Sequence, residues 1–227
     1  MDYLKAVLSK EERDRLGRFR FRCDHDSYLA AHAVQRLLLS ELTGQAPETL
    51  EFTYNEFGKP ELVERPGSPA VRFNLTHTKG MAAMAVAIGF DIGIDVEWMQ
   101  DGINFQDLSD RHFTRAENDY LECVPSRQRK TAFYRLWTLK EAYVKAVGQG
   151  LNCALDSFNL LDIDTVPRLA DSRKETMPGW HVESIVPSDY HCIALAIYHG
   201  LNARPLICVH AIALRDLARR SDETRYG

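Results

Sequence analysis

The chain lacks any long apolar run. Its longest, residues 81–88, falls far short of the roughly 20 residues that a bilayer-crossing helix needs, and residues 1–10 carry no apolar stretch of the kind a secretory leader has. Paired cysteines are missing too. The five present (Cys23, Cys123, Cys153, Cys192 and Cys208) are odd in number and widely spaced, with no Cys-x-x-Cys pair to hold zinc or do redox work. Reduced, mostly buried thiols in a cytoplasmic protein are therefore expected. Basic charge is not in excess either: a net charge of −4 opposes the cationic footprint with which nucleic-acid binders neutralise phosphates. No low-complexity linker divides the chain and no repeat is visible at the level of residue identity. What is there is a globular composition, 227 residues of which 45% are hydrophobic, enough for a packed core in one domain or two small ones.

Helical signals open the chain. Ser9-Lys10-Glu11-Glu12 reads as an N-cap with a capping box, and residues 26–42 place Leu29, Ala33, Leu37 or Leu38, and Leu42 on one stripe that stops at Thr43-Gly44. Residues 50–54 alternate like a strand, 55–59 read as a turn before a second strand, and 66–69 as a loop. A strand is expected at 71–75, ending in the polar run 76–80. Residues 81–88 fit a buried strand or a short helix equally. A buried strand at 92–96 follows, then helices at 107–113 and 115–122, the latter capped by Thr114. The strongest helical periodicity covers 127–147 and stops at Gly148-Gln149-Gly150. Strand candidates at 158–160, 180–185, 192–197 and 206–209 come next, with a final helix at 212–220 and a frayed end at 221–227.

Charge gathers in three places. Lys10, Arg13, Arg15, Arg18, Arg20 and Arg22, with Arg36 on the next helix, suit a small polyanion or else form a solvated face balanced by Glu11, Glu12 and Asp14. In Gly93-Ile94-Asp95-Val96-Glu97, period 2 puts both carboxylates on one face of a strand. Two close carboxylates repel unless a cation sits between them or one is protonated; hard oxygen ligands of this kind suit Mg²⁺, and an exposed acidic strand end is the alternative. In Trp137-Thr138-Leu139-Lys140-Glu141-Ala142-Tyr143-Val144-Lys145, Glu141 and Lys145 share a helix face, as a routine salt bridge or as part of a phosphate site. His77 between two threonines and Lys59 in Gly58-Lys59-Pro60 are candidate phosphate donors or ordinary structural residues.

The order of these elements is more specific than any one of them. Phe57-Gly58-Lys59-Pro60, Phe73-Asn74-Leu75-Thr76-His77-Thr78, Gly93-Ile94-Asp95-Val96-Glu97, Phe113-Thr114-Arg115-Ala116-Glu117, the run from Phe133 to Lys145 and Gly148-Gln149-Gly150-Leu151 together resemble the 4′-phosphopantetheinyl transferases, in the larger two-lobed group that includes the surfactin synthetase activator. The resemblance runs from about Ser9 to the strands near Ile197. It implies an α+β fold of two similar lobes, 1–92 and 93–227, each a helix on a small antiparallel sheet. A pseudo-twofold axis would relate them, with coenzyme A in the cleft between. A single chain builds that cleft, so a monomer is expected.

The activity implied is Mg²⁺-dependent transfer of the phosphopantetheine arm of coenzyme A to a serine of a carrier protein, releasing adenosine 3′,5′-bisphosphate. By matching position, Asp95, Glu97 and Glu141 would hold Mg²⁺, or Mn²⁺, which accepts the same ligands. Glu141, or else Glu117, would accept the serine proton directly or through water, and Lys145 would steady the pyrophosphate. Lys59, Thr76 and His77 would bind the nucleotide end, and Arg15, then Arg18, the 3′-phosphate. A fatty-acid, polyketide or peptidyl carrier is the implied partner, with neither nucleic acid nor membrane. The chain departs from the family at Ser27, where a basic residue is common, at Thr76 and Thr78, where serines are commoner, and in its short stretch before Leu8. A hydrolase of the coenzyme A pyrophosphate and a non-catalytic coenzyme A sensor are the rival readings; the former would need a water-activating constellation, and no Glu-rich helix of the Nudix kind is present.

Overall fold

In the computed structural model, residues 2–200 and 206–211 are described, and the architecture is α+β. The helix expected at 212–220 and the frayed end at 221–227 lie outside the described residues. These fall into two compact units, one of residues 2–52, 62–69 and 206–211, the other of 53–61 and 70–200. The division differs from the expected halves 1–92 and 93–227, because strands on both sides of Ile92 pack into one body. Among the described residues no helix is long and apolar enough to cross a membrane.

The first unit is helical. A short α1 (Asp2–Ala6), absent from the sequence-based expectation, precedes α2 (Lys10–Leu16) and α3 (Arg22–Thr43). The capping box at Ser9 forms as expected: Ser9 Oγ accepts from Glu12 N at 3.2 Å, and Ser9 N donates to Glu12 Oε2 at 2.9 Å. Helix α3 starts a turn earlier than expected, with Arg22 pairing Asp26 at i,i+4, and ends where Gly44 adopts φ 68°. Leu4, Leu8, Leu16 and Leu29 form its apolar core.

Arg36, 2% exposed, anchors this unit from within. Its Nε meets Glu12 Oε2 at 2.5 Å, its NH1 donates to Pro47 O and Leu50 O at 2.6 and 3.1 Å, and its guanidinium lies over the Phe52 ring. Arg36 is therefore a buried framework cation and not part of a polyanion cradle. Burial alone would raise the Glu12 carboxyl, but the His32 ring 3.4 Å away and hydrogen bonds from Arg36 and the Ser9 backbone bring it down to about 2.

A hairpin of β1 (Phe52–Tyr54) and β2 (Pro60–Leu62) turns at Gly58, φ 86°. In the second unit β3 (Val71–Thr78) and β4 (Met81–Ile88) pair antiparallel, which settles 81–88 as a strand. Strand β5 (Asp91–Trp98) joins β8 (Trp180–Ser188) and β9 (His191–Tyr198) in a sheet ordered β5-β9-β8. Helices α4 (Phe105–His112) and α5 (Arg115–Cys123) lead into α6 (Ser126–Val147), which packs on that sheet. Strands β6 (Asn159–Leu161) and β7 (Arg168–Ala170) add a small hairpin, of which β7 was not foreseen. Residues 206–209, expected as a strand, form no regular structure, and Leu206 and Val209 are exposed. The thiols also differ from expectation: all five are free, but Cys23, Cys123 and Cys208 are exposed and Cys192 alone is buried.

Strand β3 runs past its expected end at Leu75 because its polar residues have partners on β5. Asn74 Oδ1 accepts from Ile94 N at 2.9 Å and Thr78 Oγ1 from Trp98 N at 3.2 Å, while Thr76 Oγ1 lies 3.5 Å from Asp95 Oδ1. These i, i+2, i+4 side chains stand in for a backbone ladder between the two sheets and satisfy edge N–H groups of β5.

Helix α6 comes so near β5 that a Cβ on Gly93 would lie 2.1 Å from Ala142 O and 2.3 Å from Ala146 N. Both are backbone atoms. Gly93→Ala is therefore expected to lower stability by about 3 kcal/mol or more, read as a fall in the urea midpoint. In the first unit, Glu12→Gln should be strongly destabilising at neutral pH, because it leaves Arg36 buried without its counter-charge. A depressed carboxyl contributes fully above its unfolded value of 4.5 and loses that contribution as pH falls through about 2. The Tm gap between wild type and Glu12→Gln should accordingly close over that window.

Candidate active site

Strand β5 and helix α6 carry the site. Period 2 aligns Gly93, Asp95 and Glu97 on the face of β5 that meets α6, and a spacing of four aligns Trp137, Glu141 and Lys145 along α6. Lys145 Nζ donates to Asp95 Oδ1 at 2.5 Å and to Thr76 Oγ1 at 3.1 Å. Asp95 is 4% exposed, and its Oδ2 is buried with no hydrogen-bond partner among the described residues.

The carboxylates act on one another. Burial and the charges of Asp95 and Glu141 push Glu97 up to about 7, against the Lys145 ammonium and a hydrogen bond from Trp137. Burial and Asp95 likewise raise Glu141, again opposed by Lys145. The structure thus brings together Asp95, Glu97, Glu141, Lys145 and Thr76. Sequence reasoning missed Trp137 as a neighbour of Glu97, although its position four residues before Glu141 was a usable signal. It also missed Asn74, whose place two residues before Thr76 puts it on the same face of β3.

Among the described residues, no three His, Cys, Asp or Glu side chains gather tightly enough to hold a metal ion as they stand. The donor chemistry nonetheless fits a hard divalent cation. Three carboxylates face the Lys145 ammonium, and one buried carboxylate oxygen has no donor.

Other expected site residues lie elsewhere. Glu117, 1% exposed, is the N3 residue of the α5 capping box; its Oε2 accepts from Thr114 N, and its Oε1 accepts from Leu160 N at 2.9 Å and from Lys140 Nζ at 2.8 Å. Lys140, 0% exposed, also donates to Leu155 O and Phe158 O and lies over the Phe158 ring. Glu117 is thus engaged in a buried ion pair with Lys140, with Leu160 N and Thr114 N as its further partners. Lys59 is also engaged. Its Nζ donates to Ile92 O at 3.1 Å and Ala146 O at 3.0 Å, and Asn55 Nδ2 donates to Gly148 O, so the turn caps the last carbonyls of α6.

Thr76 and His77, adjacent in sequence, face opposite sides of β3, with Thr76 buried and His77 exposed. The turn after them is held in place. Lys79 Nζ sits 4.8 Å from the Trp98 ring centroid, Trp98 stacks on Tyr190 at 5.1 Å, and His191 Nε2 donates to Lys79 O at 3.0 Å. Arg15 and Arg18 are exposed in the first unit, Arg15 over the Tyr28 ring.

Comparison with known proteins assigns the class. Residues 91–196 match the family described as "4'-phosphopantetheinyl transferase superfamily", and residues 1–88 match "4'-phosphopantetheinyl transferase, N-terminal". The chain is 32% identical over 202 residues to "4'-phosphopantetheinyl transferase HetI" of Nostoc sp., spanning 89% of this chain and 83% of that protein. It is 32% identical over 159 residues to a "4'-phosphopantetheinyl transferase" of Bacillus subtilis, 70% of this chain and 68% of that one. Identity to "4'-phosphopantetheinyl transferase Sfp" of Bacillus subtilis is 29% over 155 residues, 68% and 66% of the two chains. Among solved structures, the holo-[acyl-carrier-protein] synthase of Thermotoga maritima is similar at a TM-score of 0.40 and 23% identity, over 48% of this chain and 63% of that one. The chain belongs to the 4′-phosphopantetheinyl transferases and is an enzyme of that family.

The Glu117–Lys140 pair yields its own test. Removing either partner leaves a buried uncompensated charge, so Glu117→Gln and Lys140→Met should each cost about 3–5 kcal/mol in urea unfolding. The double variant should cost less than their sum, and this coupling is read from a double-mutant cycle.

Proposed function

We propose that the enzyme transfers the 4′-phosphopantetheine arm of coenzyme A to a serine hydroxyl of an acyl, polyketide or peptidyl carrier protein, releasing adenosine 3′,5′-bisphosphate. The observation that carries this reading is the facing of Asp95, Glu97 and Glu141 around Lys145 across β5 and α6, in a chain of this family. Asp95, Glu97 and Glu141 would hold Mg²⁺ or Mn²⁺. When bound, the ion supplies charge neutralisation at the pyrophosphate as the bridging oxygen becomes a leaving group.

The chain's own groups do the rest. Glu141, whose carboxyl burial and Asp95 hold above its ordinary value, would take the serine proton, directly or through water. Lys145 donates to pyrophosphate oxygens. Thr76, already bonded to Lys145, orients that ammonium. Trp137 lies beside Glu97 and works against the rise of its carboxyl. Lys140 and Glu117 lock α6 to α5 and the segment 155–160, and so position Glu141 from behind. His77, Arg15 and Arg18 would be the candidates for the nucleotide end. Lys59 would have to leave the carbonyls of Ile92 and Ala146 to join them. The enzyme would work in the cytoplasm as a monomer.

The test is incubation of purified apo carrier proteins with the enzyme, coenzyme A and Mg²⁺, followed by mass spectrometry. A phosphopantetheine adduct on a carrier serine is expected; free phosphopantetheine with no adduct would sink the transferase reading in favour of hydrolysis. Asp95→Ala and Glu141→Ala should fold normally by circular dichroism yet lose turnover by about a hundredfold or more. Near-normal turnover of either would remove it from the site.

A further inference from the structure

We propose that Lys145 is a tethered counter-ion, which occupies the cation position at Asp95 before the divalent metal arrives and is displaced onto the pyrophosphate when metal and coenzyme A bind together. The inference rests on the proposed metal role of Asp95, Glu97 and Glu141, and adds to it a competition built into the chain.

Four observations support it. Lys145 Nζ makes a direct 2.5 Å ion pair with Asp95 Oδ1, so the ammonium sits against the first carboxylate that a cation would claim. Asp95 Oδ2, on the same buried carboxylate, has no donor among the described residues, so the pair leaves that group half satisfied. Among the described residues Nζ also donates to the neutral Thr76 hydroxyl at 3.1 Å, which releases it without leaving a second charge behind. Finally, no three acidic or histidine side chains among the described residues close into a ready chelate. A monovalent ammonium, with three donors and no coordination shell, neutralises such groups without closing them into a chelate, as a dication would.

The position of Lys145 makes the exchange feasible. It lies in the last turn of α6, two residues before the helix ends, on a flexible four-carbon stem with its side chain 29% exposed. A swing of the stem moves the ammonium without moving Asp95, which is fixed in β5. A dication taken up at Oδ2 and the ammonium on Oδ1 repel across one carboxylate, so metal binding is more favourable when the ammonium gains another anion, and the pyrophosphate provides one. Metal and coenzyme A should then each strengthen binding of the other, by linkage.

Calorimetric titration of the full chain with Mn²⁺, with and without coenzyme A, tests this. Without coenzyme A, Lys145→Met should bind Mn²⁺ about tenfold more tightly than wild type, while Lys145→Arg, which keeps a cation there, should stay close to wild type. Lys145→Met should also melt lower than wild type in EDTA and regain most of the loss in Mn²⁺. Affinity unchanged or weakened in Lys145→Met, or a melting loss that Mn²⁺ does not restore, would overturn the counter-ion role while leaving the metal site standing. A wild-type chain that takes up no Mn²⁺ even with coenzyme A, or whose uptake survives Asp95→Asn, would overturn the metal reading itself and this inference with it.

Discussion

The close approach of α6 to β5 at Gly93 is the constraint on which the site depends. With no side chain at that position the helix backbone lies directly on the strand, and a single added carbon would overlap Ala142 O and Ala146 N. Nearness at Gly93 brings the two faces together along their whole length. Glu97 then meets Trp137 at one end and Asp95 meets Lys145 at the other. The glycine that opens the Gly-Ile-Asp-Val-Glu motif has no chemistry of its own; it sets the distance at which the chemistry of its neighbours becomes shared.

Helical geometry separates two lysines that the sequence places five residues apart. A step of five residues turns through about 500°, so Lys140 and Lys145 leave α6 on different sides. Lys140 goes into the core, to Glu117 and the carbonyls of Leu155 and Phe158. Lys145 goes to β5 and Asp95. One cation is locked in place by three groups and serves the framework; the other is half-buried, held by two, and serves the site. The same contrast divides Arg36, held by Glu12 and two carbonyls, from the exposed Arg15 and Arg18. Cations with identical charge thus do different work according to how many acceptors surround them and how much water is left.

Much of the framework was legible because its signals are local. The Ser9 capping box, the Gly44 and Gly148 helix stops, the Thr114 cap and the long α6 periodicity depend on residues within a turn or two of one another. The run 81–88 was ambiguous for the opposite reason: an unbroken apolar stretch has no period, and only pairing with β3 makes it a strand. The end of β3 was misplaced because Thr76 and Thr78 read as loop-like polar residues until β5 supplies their partners. Strand β7 and helix α1, at three and five residues, are too short to carry a pattern.

For the site, the sequence by itself determined which residue types stand at which spacing, and hence that Asp95 and Glu97 share one face of a strand while Glu141 and Lys145 share one face of a helix. Those are consequences of backbone period and need no fold. Tertiary structure alone decided which of the charged candidates meet. It joined Asp95 to Lys145, set Glu117 against Lys140, drew Lys59 to the carbonyls at the end of α6 and turned His77 away from Thr76. The physical reason is that an ionisable side chain takes its role from the partner and the burial it meets in space, and the backbone period specifies neither.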